Sequence, residues 1–282
     1  MFARVASLQK WLRRRWFYSC ISALTVGIVT IGQPQIGQAA DWLQILMQGA
    51  QIIQLSNVSD AQEASLGADT NRALLSERVR IYQNAAVNSY VNQIGQRLAR
   101  NSARPNIKYT FQVVEDDNIN AFATMGGYVY VNTGLLKAAD NEAQLAGVIG
   151  HEIGHITGRH ALQRLKQATI AQGLSSIAGV DRNELAQIAA QVAFTLPNSR
   201  KDEYDADKRG LTTMIQSGYA PTAMPEFMKK LIRGNSAPEF LSSHPAVNER
   251  VNRLQQMIPS AYKSRTDGLN AATYKQNLRS FF

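Results

Sequence analysis

Two hydrophobic periods alternate along the chain. Trp42, Leu46, Ala50 and Ile53 recur at helical spacing and predict an N-terminal helix within 41–59. A polar, alanine-rich stretch runs on to Glu77. Val87, Tyr90, Val91, Ile94 and Leu98 form a second helical stripe, ended by "NSARP". The period then shortens to two. Ile107, Tyr109, Phe111 and Val113 alternate with Lys108, Thr110 and Gln112, which predicts a strand. "EDDN" reads as a turn, and "YVYVN" at 128–132 reads as a second strand entered through Gly126 and Gly127. From Asn141 the helical period returns and runs through 147–164, "GVIGHEIGHITGRHALQR", without a break. The segments 170–180 and 185–196 are apolar and rich in small residues, and both are too short to cross a bilayer. Pro197 interrupts the chain, and Ser199 is placed to cap a new helix with Asp202 in its first turn. Another helix covers 224–232. The last starts at "SHPAVNERV", with Pro245 at its first position and a stripe of Val247, Val251, Leu254 and Ile258. The pattern predicts an α+β protein, mainly helical.

The first forty residues differ from the rest. Arg4, Lys10, Arg13, Arg14 and Arg15 precede the apolar run 21–31, and small residues, Gly37 and Ala39, close the segment. This is the order of a secretory signal, with cleavage expected near 39–41. The full chain carries 30 Lys plus Arg against 21 acids. Without those five cations, 25 face 21, so the mature charge is +4. The basic character is largely a targeting feature, and no basic stripe interleaved with aromatics remains to bind nucleic acid. The single cysteine, Cys20, lies inside the signal, so disulfides and a thiol nucleophile are excluded from the mature chain. Any metal must be held by histidines and carboxylates.

His151, Glu152 and His155 form H-E-x-x-H on a predicted helix. Histidines four apart share a face and can grip one ion, while Glu152 is turned to reach a water beside it. That is the zinc peptidase arrangement, with Glu152 as general base. A third protein ligand is needed. His160 sits one position short of the histidine that a metzincin pattern requires, and on a continuous helix it points elsewhere, as a structural histidine. Glu203 and Asp207, four apart on the helix capped by Ser199, offer a carboxylate ligand and a partner for a histidine ring N–H. Asp202 and Asp205 point away and read as a solvated face. Spacing alone leaves Glu203 and an exposed acidic face about equally supported.

Four ordered motifs break that tie: "NAFATMGGYVYVNTGLL" (120–136), "EAQLAGVIGHEIGHITGRH" (142–160), "EYDAD" (203–207) and "SHPAVNERV" (243–251). Together they resemble the zinc metallopeptidase family of the CAAX prenyl endopeptidase, the HtpX-like heat-shock proteases and the periplasmic BepA-like proteases. The resemblance covers about 60–258, leaving 259–282 as a tail. It implies a gluzincin fold with a small β-sheet packed on the active-site helix. It implies one zinc held by His151, His155 and Glu203, with Asp207 behind the ligands. It also implies an extended substrate paired along an edge strand, assigned to Gly127, Tyr128, Val129, Tyr130 and Val131. His244 falls in the last motif. It is read as an oxyanion stabiliser, a fourth ligand closing the metal site, or a helix cap. Arg250 is a candidate to orient a carboxylate.

The resulting expectation is an exported zinc endopeptidase of the cell envelope, periplasmic or otherwise extracytoplasmic. It would degrade unfolded or misassembled proteins, with unfolded or extended polypeptides as partners and a possible peripheral contact with a membrane or envelope complex. The rival is a zinc-stabilised chaperone or assembly factor that binds the same clients without cutting them.

Overall fold

The protein is described by a computed structural model over residues 58–171, 181–234 and 238–281. The expected signal segment and the helix at Trp42 fall outside these residues. Helix α1 (Asp60–Glu77) begins with a capping box between Ser59 and Gln62, and α2 (Ala85–Ala99) is capped by Asn84. The alanine-rich stretch is therefore helical, although its weak periodicity concealed it.

Three short strands follow: β1 (Thr110–Val114), β2 (Ala121–Thr124) and β3 (Tyr128–Asn132). Their order is β1-β3-β2, with β3 parallel to β1 and antiparallel to β2. The strand "YVYVN" thus occupies the middle of the sheet. This corrects the assignment of Gly127–Val131 as a substrate-binding edge: β3 has a partner strand on each side. The edge beside the metal motifs is β2, a four-residue strand too short for a legible alternation.

The two sheet faces are covered differently. Phe111, Val113, Ala121, Ala123, Val129 and Val131 join the main core below the sheet. Phe122, Tyr128 and Tyr130 point the other way, towards Leu74 of α1 and Ala190 of α6 (Arg182–Thr195). After the short α3 (Thr133–Ala138), Asn141 caps α4 (Glu142–Thr157), which is buried along its whole length from Ala143 to Thr157. An all-round apolar helix belongs at the centre of a domain.

α4 lies against α7 (Arg200–Gln216), whose N-cap is Ser199 as expected. Their backbones nearly touch. A Cβ built on Gly154 would fall 2.4 Å from the Ala206 carbonyl oxygen. Glycine at this position brings the histidine helix and the carboxylate helix together.

The helical run through the histidines does not continue as the sequence suggested. α4 ends at Thr157, and α5 (His160–Ala171) starts afresh after Arg159, which adopts a left-handed φ of 55°. That conformation costs on the order of 1 kcal/mol or more for a non-glycine residue. Arg159 is held there by ion pairs to Asp60 and Glu63 of α1. The remaining elements are α8 (Ala223–Arg233), α9 (Glu239–Ser243), α10 (Val247–Met257) and α11 (Ala271–Asn277). α10 starts two residues later than expected: its N-cap is Ala246, with φ 62°, and Pro245 lies before it. No helix among the described residues is long and apolar enough to cross a membrane.

Candidate metal centre

α4 sends His151 and His155 to one point, where their Nε2 atoms stand 3.0 Å apart. α7 brings Glu203 to the same place. Its Oε1 lies 3.2 Å from His155 Nε2, and its Oε2 lies 3.4 Å from His151 Nε2. His244, between α9 and α10, adds Nδ1 at 3.1 Å from Glu203 Oε1 and 3.3 Å from His151 Nε2. One ligand atom from each of the four residues falls within 4.8 Å of the others, and all four side chains are buried. Donors about 2.0–2.1 Å from a tetrahedral zinc stand about 3.3 Å apart. The observed spacings of 3.0–3.4 Å match that cage.

The protonation states suit a cation. Burial would raise Glu203, but His244 and His151 outweigh it and hold the carboxyl well below its usual range. Burial keeps His155 well below the ordinary histidine value and therefore neutral. Burial also opposes charge on His151, yet Glu203 and Asp207 pull it up to about 9. Metal binding at neutral pH then displaces a proton from that ring. Glu152 is raised, chiefly by its burial. Its Oε1 is buried and makes no hydrogen bond within the protein. His244 Nε2 is 3.6 Å away, beyond hydrogen-bond range. A buried acceptor without a hydrogen bond, beside a ligand cage, fits a base that takes up the attacking water.

Behind the ligands stands a layer of polar supports. Asp207 Oδ1 lies 2.9 Å from His151 Nδ1, the ring N–H partner that its spacing suggested. Arg250 donates to Asp207 from Nε and Nη2, at 2.7 Å each, and its Nη1 pairs with Glu203. Burial would raise Asp207, but these bonds hold it below its usual value. Arg250 is fully buried and spans both carboxylates.

His160 is not in the ligand cluster. Its ring nevertheless lies beside that cluster. The kink at Arg159 swings its Nδ1 to 2.9 Å from His155 Nδ1, while its Nε2 lies 3.2 Å from Asp205 Oδ2. Gly158 makes room, since a Cβ there would be 2.4 Å from the His160 ring. Asp205, expected on a solvated face, instead links His160 to Arg209. Asn198 gave no signal in the sequence. Its Nδ2 lies 3.4 Å from His155 Nε2 and 3.3 Å from His244 Nδ1. His244 does not cap α10. Its ring faces Glu203 and His151, and its Nε2 lies 3.4 Å from the Ala121 carbonyl oxygen.

Residues 85–258 match the model of peptidase family M48. The chain belongs to that family. Its M48 region takes in every member of the cage and its supports. The chain is 30% identical over 277 residues to the beta-barrel assembly-enhancing protease of Escherichia coli (strain K12), covering 91% of this chain and 55% of that protein. It is 31% identical over 173 residues to the mitochondrial metalloendopeptidase OMA1 of Saccharomyces cerevisiae, covering 57% of this chain and 50% of that one. This M48 chain therefore spans about half the length of the curated relatives it matches.

Proposed function

We propose that this chain is a zinc endopeptidase of the cell envelope that cuts unfolded or misassembled exported proteins. The observation that carries the reading is the convergence of His151, His155 and Glu203 beside Glu152 Oε1, which makes no hydrogen bond. Zinc held by those three residues supplies Lewis acidity for a water and a scissile carbonyl. Glu152 accepts the water's proton at Oε1 and returns it to the leaving amide nitrogen. Asp207 fixes the His151 ring so that Nε2 faces the cage, and Arg250 balances the charge of Asp207 and Glu203.

The substrate strand lies along β2. Asn132 N donates to Asn120 O, which sets the alternation of this antiparallel pair. By that alternation Phe122 turns its backbone groups towards β3, and Ala121 and Ala123 turn theirs to the open edge. A polypeptide backbone pairs there with little regard to sequence. The signal-like N-terminus and the relatives named as assembly-enhancing proteases support an envelope role.

His244 is read here as the fourth ligand rather than an oxyanion donor, because its Nδ1 completes the cage and its Nε2 sits by the edge carbonyl of Ala121. In this arrangement it closes the site to substrate.

The test is Glu152→Gln in the zinc-loaded chain. Zinc content stays at one per chain and casein cleavage is lost. Undiminished cleavage would remove Glu152 from the mechanism. Rescue of an envelope defect by the inactive variant would instead favour the chaperone reading.

A further inference from the structure

A cavity of about 430 Å³ lies beside the β2 edge, on the sheet face away from α4. Phe122, Phe194 and Leu196 give it an apolar wall, while Asn120, Asn132 and charged side chains such as Arg78 and Glu115 line the rest. It adjoins segments that carry the metal centre: Ser243 precedes His244 and accepts from Asn198 N through its carbonyl, and Leu196 is two residues from Asn198.

Phe194 and Leu196 are more exposed, and Asn132 less bonded, than the fold alone requires. Phe122 stacks on Tyr130 at 4.4 Å and meets Phe194 edge-on at 5.2 Å, which makes an aromatic wall. Yet Phe194 and Leu196 remain 40% and 47% exposed. Asn132 stands at the N-cap of α3 but makes no capping bond, and its Oδ1 has no hydrogen-bond partner although the residue is only 3% exposed. Asparagine at an N-cap ordinarily bonds the first turn, and buried amide oxygens are ordinarily satisfied.

The register of β2 connects the cavity to the reaction. Ala121 and Ala123 face the main core and α4, whereas Phe122 faces the cavity. Residues directly opposite each other on paired strands point to the same face. A strand added to the β2 edge therefore sends its residue opposite Phe122 into the cavity. Its neighbours on either side turn towards α4 and the metal centre.

We propose that this cavity is a specificity subsite for a large apolar or aromatic side chain of an extended polypeptide, with Asn132 Oδ1 accepting a hydrogen bond from the same polypeptide. The inference rests on the edge-strand reading given above.

The test uses the full zinc-loaded chain and quenched fluorescent peptides that differ at one position only, Phe against Ala, with the position scanned along the peptide. Wild type prefers Phe at one position. Phe194→Ala and Leu196→Ser each reduce that kcat/KM preference roughly tenfold, the scale of one lost apolar pocket contact. Binding of the same peptides to Glu152→Gln, followed by fluorescence anisotropy, reads the subsite without cleavage. Phe-selective binding that depends on Phe194, with no cleavage by wild type, supports the subsite and overturns the peptidase reading. Cleavage with no preference overturns the subsite alone. So does an equal loss for Phe and Ala peptides in both variants.

Discussion

Asp207 Oδ1 sits 2.9 Å from His151 Nδ1, one helix away from the residue that it orients. Removing the carboxylate charge frees the ring to rotate and lowers its basicity as a ligand. Asp207→Asn is expected to weaken zinc affinity about 10–100-fold, measured by competition with a chromophoric chelator. Unchanged affinity would mean that His151 is held by packing alone.

Among the described residues, Arg250 pairs with both Glu203 and Asp207. Arg250→Met leaves two buried carboxylates without that partner. Breaking one side of such a pair costs about 3–5 kcal/mol. Urea denaturation of the metal-free chain is expected to show a loss of that order. A loss below about 1 kcal/mol would show that the pair contributes little to stability.

His160 reaches the site through His155. With His155 Nδ1 and His160 Nδ1 at 2.9 Å, and Asp205 on the far side of the ring, one proton arrangement leaves His155 Nε2 free for the cage. His160→Phe keeps the ring volume and removes the bond. Its zinc affinity is expected to fall about tenfold or more, while the metal-free chain keeps its helical circular dichroism. Wild-type affinity in this variant would return His160 to a structural role.

The contact between α4 and α7 permits a graded comparison. Gly154→Ala drives a Cβ to 2.4 Å from the Ala206 carbonyl oxygen, whereas Gly150→Ala meets nothing closer than 3.3 Å. The first is expected to destabilise by about 1–3 kcal/mol or more, as overpacking does, and the second by clearly less. Thermal unfolding of both variants checks the order. Equal effects would mean that the helices can separate without penalty.

His244 gives opposite outcomes for its two remaining roles. As a closing fourth ligand, its replacement by alanine raises kcat/KM on an unfolded substrate while zinc stays bound. As an oxyanion donor, its loss lowers kcat by about 10²–10³-fold. The cage geometry leads us to expect the rise.

The sequence made some of this legible and hid the rest for physical reasons. The spacing of four placed His151 and His155, and Glu203 and Asp207, on common faces, because helix phase is regular. Ser199 marked the start of α7 because capping chemistry is local. Strand order was not legible: "YVYVN" looks like any half-buried strand, and only pairing with β1 and β2 makes it central. The position of His160 depended on one left-handed residue, Arg159, whose φ is imposed by acids on α1, about a hundred residues earlier in the chain. Asn198 belongs to no motif, and its contacts with His155 and His244 are long-range ones that local sequence does not announce.

Arg250 enters the chain long after the histidines whose supporting carboxylates it neutralises. A polypeptide emerging N-terminus first carries His151 and His155 for a hundred residues before that charge arrives. Until then Asp207 and Glu203 lack the one guanidinium that bridges them. The cage and its supports are therefore joined only when segments about a hundred residues apart in the chain have packed together.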